Sequence, residues 1–261
     1  MKFEHNNISP LDSRYADKIV DTRLCFSESQ LIRKRFEIEI DWLVYLCSKK
    51  PDQFLKISTA TTKKLNLLKN NFSDKDVLKI KKIEKKTNHD VKAVEYFIKD
   101  LFLQDNTLKK YIHLIHFGLT SEDINSLAYA LMIKKGIEIH LQKIKSLNKI
   151  LKTYSNKWKN ISFLAKTHGQ AASPSTLGKE IKVFSKRIEL TQTAYESIKP
   201  LAKFSGATGN YHTFVIANNT IDWPLFNKRF LKSLGIVQNE YTTQIEPHDW
   251  IAEYSDAVFS F

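Results

Sequence analysis

Residues 120–158 have the sequence TSEDINSLAYALMIKKGIEIHLQKIKSLNKILKTYSNKW and carry the strongest structural signal in the chain. Apolar residues recur in this stretch every three or four positions, as one face of a helix requires. They are Ile124, Leu127, Leu131, Ile137, Leu141, Ile144, Leu147, Leu151, Tyr154 and Trp158. Because no proline occurs between positions 121 and 173, we predict a helix of about 35 residues, about 50 Å long. So long a stripe favours a helix bundle or a core shared between subunits.

The flanking sequence is also typical of helices. Only 7 Gly and 6 Pro occur in 261 residues, which is few for the many turns of an all-β protein. Capping residues or capping pairs precede apolar-periodic stretches, at Ser27, Ser73 with Asp76, Asp90, Thr120 with Asp123, and Asp222. Polar elbows interrupt the helical pattern, namely AKTHGQAASPST at 165–176, FSGATGN at 204–210 and YTTQIEPHD at 241–249. The sequence therefore predicts an all-α fold.

Composition restricts the classes of partner. The 41 Lys and Arg against 28 Asp and Glu give a net charge of +13, but the lysines are scattered along the chain. This distribution favours solvated helix faces over a nucleic-acid-binding surface. The N-terminus MKFEHNNISP has no apolar signal region, no stretch is apolar enough to span a membrane, and Cys25 and Cys47 have no metal-ligand spacing. We expect a cytoplasmic protein without a membrane or nucleic-acid partner.

Motifs for common cofactors are missing from the sequence. It contains no G-x-x-x-x-G-K-S/T loop, no G-x-G-x-x-G turn after a strand, no H-E-x-x-H and no paired C-x-x-C. We therefore predict no cofactor and no metal.

Four polar clusters lie near predicted helix ends, where unpaired backbone N–H groups favour anions. They are Ser13-Arg14-Tyr15, Asn88-His89-Asp90, Thr120-Ser121-Glu122-Asp123 and Thr167-His168-Gly169-Gln170. Each cluster taken alone is more often a helix cap or a set of ordinary exposed polar residues than a functional site. Together they are typical of a site in which several helix ends supply Arg, His, Ser, Thr and Asn to a polyanion.

Five segments that contain these clusters resemble one family. They are SPLDSRYADK, KTNHDVKAVEYF, HFGLTSEDINSLAYAL, LAKTHGQAASPSTLGKE and YTTQIEPHD. In this order they resemble the bacterial adenylosuccinate lyase family of the fumarase/aspartase superfamily. The resemblance implies β-elimination of fumarate from adenylosuccinate, giving AMP, and from the succinyl-carboxamide ribotide of purine synthesis. It implies no cofactor, a nucleotide substrate and a homotetramer built on long helices.

The resemblance also implies a domain organisation. Residues 1–120 would form an N-terminal helical domain with substrate-binding residues. Residues 121–261 would form an incomplete central long-helix bundle domain, truncated at its C-terminal end. The boundary at residue 120 is approximate.

The resemblance assigns the chemistry to histidines. His168 would be the general acid that protonates the leaving nitrogen, and His89 would have a supporting role. Asn88, His89 and Asp90 would line the nucleotide site. The family's catalytic base is a serine in a Ser-Ser-x-Met-Pro-x-Lys-x-Asn loop, and these 261 residues contain no such segment. The alternative is a catalytically inactive truncated remnant that acts as a helical oligomerising fragment.

The remaining implied contacts bind the substrate's anionic groups. Arg14 and Tyr15 would hold the phosphate. Thr120 and Ser121 would bind a carboxylate of the fumaryl portion at a helix N-terminus. Gln244 would hydrogen-bond the substrate from the last polar elbow.

Overall fold

The computed structural model describes residues 9–50 and 52–261 and is mainly helical. The α-helices of the described residues are α1 (Val20–Phe26), α2 (Glu28–Lys49), α3 (Thr59–Asn70), α4 (Asp74–Thr87), α5 (Asp90–Leu103), α6 (Ser121–Lys157), α7 (Leu177–Ser197), α8 (His212–Ala217), α9 (Trp223–Ser233) and α10 (Asp249–Phe259). Short 3-10 helices cover Pro10–Asp12, Ala16–Ile19 and Lys109–Leu114. The predicted all-α class is confirmed, and α6 is the predicted long helix, with 37 residues.

Capping side chains fix several helix starts. The Ser27 side chain accepts a hydrogen bond from the Gln30 N–H at the start of α2. At α4, Ser73 and Asp76 form the predicted capping box, in which the Ser73 N–H donates to the Asp76 carboxylate (3.1 Å). Such caps supply partners for N–H groups that have none within the helix.

The prediction that Asp90 caps α5 is wrong. His89 is the N-cap residue, and its Nδ1 atom accepts from the Lys92 N–H at 3.2 Å. Asp90 is the first residue of the helix, and its carboxylate pairs instead with Arg35. A charged partner from another helix outweighs the local cap that the sequence favoured.

The polar elbow at 165–176 contains a β-hairpin rather than an irregular loop. Strand β1 (Ser162–Thr167) pairs antiparallel with β2 (Gln170–Thr176), and Thr167 lies opposite Gln170. The two residues between them, His168 and Gly169, have φ angles of 51° and 76°. Two positive φ angles are what a two-residue type I′ hairpin turn requires. The sequence did not predict this hairpin, because its strands are mostly exposed and lack an apolar alternation.

The chain divides into two compact units. The first contains the chain up to Lys134 together with Pro200–Pro247. The second contains Lys135–Lys199 and His248–Phe261. A short parallel pair, β3 (Leu201–Ala202) with β4 (Val237–Gln238), belongs to the first unit. The boundary proposed for the family's domains, after residue 120, stays a prediction.

The first unit has a dense core. Apolar residues of α2, α4 and α5 pack together with the 3-10 helix at Lys109–Leu114. Trp42, which is fully buried, lies at the centre of an aromatic group. Its neighbours have ring centroids 5.0 to 6.0 Å away and are Phe204, Phe214, Phe226 and Phe230. Aromatic burial on this scale is a large stabilising contribution.

The second unit buries fewer side chains. Ile144, Ser185 and Tyr195 are buried in it. Large apolar side chains of the same unit stay exposed, including Leu147, Ile150, Tyr154, Phe184 and Leu190. Among the described helices, none is long and apolar enough to cross a membrane.

Candidate functional site

The Asn88-His89-Asp90 triplet forms the junction between α4 and α5. Asn88 ends α4 with a left-handed φ of 51°, and its N–H donates to the Glu84 carbonyl at 2.8 Å. Asparagine tolerates this conformation better than most residues. The tight turn leaves the side chains of Asn88 and His89 exposed, directly before the N-terminus of α5.

The hydrogen bond that His89 accepts as a cap also determines which ring nitrogen carries the proton. Because Nδ1 accepts from the Lys92 N–H, a neutral His89 ring carries its proton on Nε2. The ring is about half exposed, with Nδ1 3.6 Å from the Asp90 carboxylate. His89 can therefore donate a hydrogen bond to an anionic ligand at the start of α5.

The first turns of α6 form a second polar centre. The Asp123 carboxylate accepts from the Thr120 N–H at 2.8 Å, which confirms the predicted pairing of these two residues. It also accepts from the N–H groups of Ser205 (2.9 Å) and Gly206 (3.1 Å) and pairs with the Lys203 ammonium at 2.6 Å. Both charged side chains are fully buried. Asp123 therefore attaches the FSGATGN loop to the start of α6.

Two neighbouring polar residues of α6 contact other segments. The Glu122 carboxylate accepts from the Glu246 N–H at 3.3 Å, and Glu246 is buried. This contact holds the stretch around the exposed Gln244 beside the first turn of α6. Asn125 accepts through Oδ1 from Nε of Arg35 at 2.8 Å.

Arg35 contacts the triplet as well. Its Nη2 atom lies 2.6 Å from the Asp90 carboxylate, and its side chain is almost completely buried. Burial raises the pKa of Asp90, but the Arg35 guanidinium and backbone N–H groups outweigh it and hold this pKa below its usual value. The ionised form of Asp90 is thus stabilised.

The first unit therefore brings together three groups of predicted site residues. Thr120 and Ser121 lie at the α6 N-terminus, which is joined to Asp90 through Arg35 and to the stretch around Gln244 through Glu246. A helix N-terminus at α6, and the exposed His89 ring at the start of α5, suit a carboxylate or phosphate ligand.

Arg14 and Tyr15 also belong to the first unit. They lie in the turn between two 3-10 helices, and the Arg14 guanidinium is 5.4 Å from the centroid of the Tyr15 ring. Both side chains are exposed. The hydrogen bonds that join Asp90 and the Gln244 stretch to α6 do not include these two residues.

His168 belongs to the second unit. It is the first turn residue of the β1–β2 hairpin, with a left-handed φ and an exposed side chain. A non-glycine residue in this conformation is uncommon, and histidine adopts it more readily than most residues. The hairpin presents the imidazole at its tip.

The sequence did not single out His116, whose side chain is 12% exposed. His116 has a φ of 60°, and its Nδ1 atom lies 2.6 Å from the Glu39 carboxylate. Its Nε2 atom is 3.7 Å from Glu95. Burial lowers the pKa of His116, but the two carboxylates outweigh it and the pKa is raised. Arg35 and Glu39 were not predicted either, because they lie within the apolar-periodic helix α2. The signal that could have found them is the four-residue spacing of two charges on the otherwise apolar face of α2.

No metal site is evident among residues 9–50 and 52–261, where no group of three His, Cys, Asp or Glu side chains could hold an ion. The polar centres described above are built from hydrogen-bond donors, cations and helix N-termini.

Known proteins resemble this chain in sequence. The adenylosuccinate lyase of Haemophilus influenzae is 42% identical over 256 residues, which is 97% of this chain and 56% of that protein. The adenylosuccinate lyases of Buchnera aphidicola (42%) and Escherichia coli K12 (41%) match with the same coverage. The chain thus spans a little over half the length of these relatives.

Solved structures share the fold. A fumarate lyase from Mesorhizobium sp. BNC1 superposes with a TM-score of 0.73 at 19% identity, over 94% of this chain and 53% of that one. A beta-carboxy-cis,cis-muconate cycloisomerase from Acinetobacter calcoaceticus gives 0.73 at 18%, over 95% and 56%. A family model described as Lyase matches residues 16–261. On this match, which covers nearly the whole sequence, the chain belongs to the lyase family.

Proposed function

We propose that this chain supplies the N-terminal part of an adenylosuccinate lyase. The reaction is the β-elimination of fumarate from adenylosuccinate, which gives AMP, and from the succinyl-carboxamide ribotide of purine synthesis. The single observation that carries the proposal is the α6 N-terminus, where Thr120 and Ser121 share one compact unit with the Asn88-His89-Asp90 triplet and the stretch around Gln244. The curated relatives with 41 to 42% identity bear the name adenylosuccinate lyase.

The chemistry needs three contributions. A base removes a proton from the carbon next to a carboxylate, donors stabilise the carbanion, and an acid protonates the nitrogen as the C–N bond breaks. His168 acts as the general acid, because an imidazole can carry a transferable proton near neutral pH. His89 supports it by donating from Nε2 to a succinyl carboxylate. The base is the family's loop serine, which these residues do not include.

The remaining residues bind the substrate. Arg14 and Tyr15 hold the phosphate, and their exposure leaves both available to a ligand. Thr120 and Ser121 bind a fumaryl carboxylate at the start of α6, where the helix dipole favours an anion. Asn88, Asp90 and Gln244 complete the nucleotide contacts.

The proposal extends to assembly and location. The exposed apolar side chains of the second unit, such as Leu147 and Leu190, suit burial against further copies of the chain. We propose a homo-oligomer, a tetramer as in the family, and a cytoplasmic location. The buried, free thiol of Cys47 supports a reducing environment.

The test is fumarate release from adenylosuccinate, followed by absorbance, with AMP binding measured by calorimetry. We compare the wild-type chain with His168→Ala and with His212→Ala, a matched control that removes another exposed histidine. Because the chain does not include the base, the proposal expects AMP binding by all three proteins. Any fumarate release should depend on His168 and not on His212.

Two outcomes would contradict parts of the proposal. Turnover that survives His168→Ala would remove the general-acid role. A wild-type chain that neither binds AMP nor releases fumarate would instead favour the inactive, oligomer-forming fragment.

A further inference from the structure

Helix α2 carries three side chains with polar groups that contact the candidate site or the segment that precedes α6. Arg35, Glu39 and Trp42 follow a spacing of four and three, so they share one side of the helix. The Trp42 Nε1–H donates to the Phe117 carbonyl at 3.0 Å, and the Glu39 carboxylate accepts from the His116 N–H at 3.0 Å. These contacts hold the segment that leads into α6.

Arg35 differs from the other two because it contacts two site-bearing helices at once. Its Nη2 pairs with Asp90, the first residue of α5, at 2.6 Å. Its Nε donates to Asn125, one turn after Ser121 in α6, at 2.8 Å. The donors of a guanidinium are fixed in one plane. One rigid group therefore sets the separation between the start of α5 and the start of α6.

The different exposures of Arg35 and Asp90 indicate that Arg35 does more than stabilise the fold. The Arg35 side chain is 6% exposed, whereas that of Asp90 is 46% exposed. A buried ion pair can often be replaced by apolar residues without loss of stability. An arginine that reaches out of the core to orient a half-exposed carboxylate beside His89 contributes geometry that an apolar residue cannot supply.

We propose that Arg35 is a positioning residue for the reaction, which aligns the Asn88-His89-Asp90 triplet with the carboxylate-binding start of α6. The inference rests on the proposed function. Arg35 acts through Asp90 and Asn125 and does not touch the substrate. It sets the distance between the His89 donor and the start of α6 at Thr120 and Ser121.

The test uses Arg35→Lys and Arg35→Met in the full chain. Lysine keeps the charge but offers one nitrogen, so it cannot bridge Asp90 and Asn125 in the same way. The matched controls are Arg33→Lys and Arg33→Met, because Arg33 pairs within α2 with Glu37 at 2.9 Å. Denaturant unfolding gives the folded fraction of each variant, and Arg35→Lys keeps the test valid if Arg35→Met does not fold.

The readouts are fumarate binding by calorimetry and the titration of the Asp90 carboxyl carbon by NMR. For folded Arg35→Lys, we expect the fumarate dissociation constant to rise about tenfold, because the starts of α5 and α6 are no longer held at a fixed separation. The Asp90 titration midpoint should rise in Arg35→Met. Neither readout should change in the Arg33 controls.

The outcomes distinguish this inference from the proposed function. A wild-type chain that binds neither AMP nor fumarate overturns both. A wild-type chain that binds both, together with a folded Arg35→Lys variant that binds fumarate equally well, overturns the positioning role alone. An Asp90 midpoint that is the same in Arg35→Met and in wild type also overturns it.

Discussion

The two halves of α6 have the same apolar periodicity but different burial. In the half that belongs to the first unit, Ile124 and Leu127 are fully buried. In the half that belongs to the second unit, Leu147 is 50% exposed and Tyr154 is 41% exposed. A periodic stripe thus predicts the helix correctly in both halves, whereas its burial depends on what packs against it. The two halves also differ in the burial of their ion pairs. The first half contributes Asp123 to the buried Asp123–Lys203 pair, whereas the second carries exposed pairs such as Lys145–Glu196.

We expect the largest difference in stability loss between the replacement of a buried lysine and that of an exposed one. Lys203→Met leaves the Asp123 carboxylate buried without its cation, which should lower the free energy of unfolding by about 3 to 5 kcal/mol. Lys228→Met is the control, because Lys228 and Glu240 are both more than half exposed, and it should cost less than about 1 kcal/mol. Urea unfolding measures both. Equal losses would contradict the importance of the buried pair.

Truncating the stripe tests the two halves of α6 directly. Leu127→Ala should lower the free energy of unfolding by about 2 to 5 kcal/mol, because it leaves a cavity in a packed core. Leu147→Ala removes the same atoms from a position that is half-exposed in the single chain. In the monomeric protein it should change the free energy of unfolding by about 0.5 kcal/mol. Thermal and urea unfolding of the two variants provide the measurement. A large loss from Leu147→Ala would indicate that this face is covered in solution.

Two glycines with similar backbones provide a third contrast. Gly118 has a φ of 74° and Gly169 a φ of 76°, so alanine at either should cost about 1 to 2 kcal/mol of backbone strain. An added Cβ at Gly118 would lie 2.2 Å from the Phe214 ring, whereas nothing lies within 4 Å at Gly169. Gly118→Ala should therefore destabilise by about 1 to 3 kcal/mol more. Indistinguishable urea midpoints would show that Phe214 moves aside.

The smallest effect is a difference in pH dependence. The raised pKa of His116 means that its stabilisation is complete below its unfolded pKa of about 6.5 and is lost as pH rises through the higher folded pKa. In the second unit, burial and the Lys143 ammonium lower the pKa of His140, so its contribution is lost as pH falls. We expect the stability advantage of wild type over His116→Gln to shrink with rising pH, and that over His140→Gln to grow. Unfolding free energies between about pH 5.5 and 8 measure both slopes, and slopes of the same sign would contradict the assignment.

The sequence predicted the long helix α6 and several helix caps correctly, but it did not predict α3. Ser27, the Ser73–Asp76 box and Asp222 start helices as expected, because a cap depends only on residues within one turn. The hairpin around His168 was not predicted, since its exposed strands lack an apolar alternation. The roles of Arg14, Tyr15, Gln244 and His168 in substrate binding and catalysis stay predictions.

What the sequence alone determined was local and periodic. It specified the long helix, the all-α class and the clusters at helix ends, because these depend on spacings of three and four residues and on adjacent polar groups. The tertiary structure alone decided which clusters meet. Arg35 reaches Asn125 across 90 positions, and Lys203 reaches Asp123 across 80. Partners so far apart in the chain leave no periodic pattern in the sequence. A buried charge is stabilised by the group that the folded chain brings within hydrogen-bonding distance, and only the tertiary structure shows which group that is.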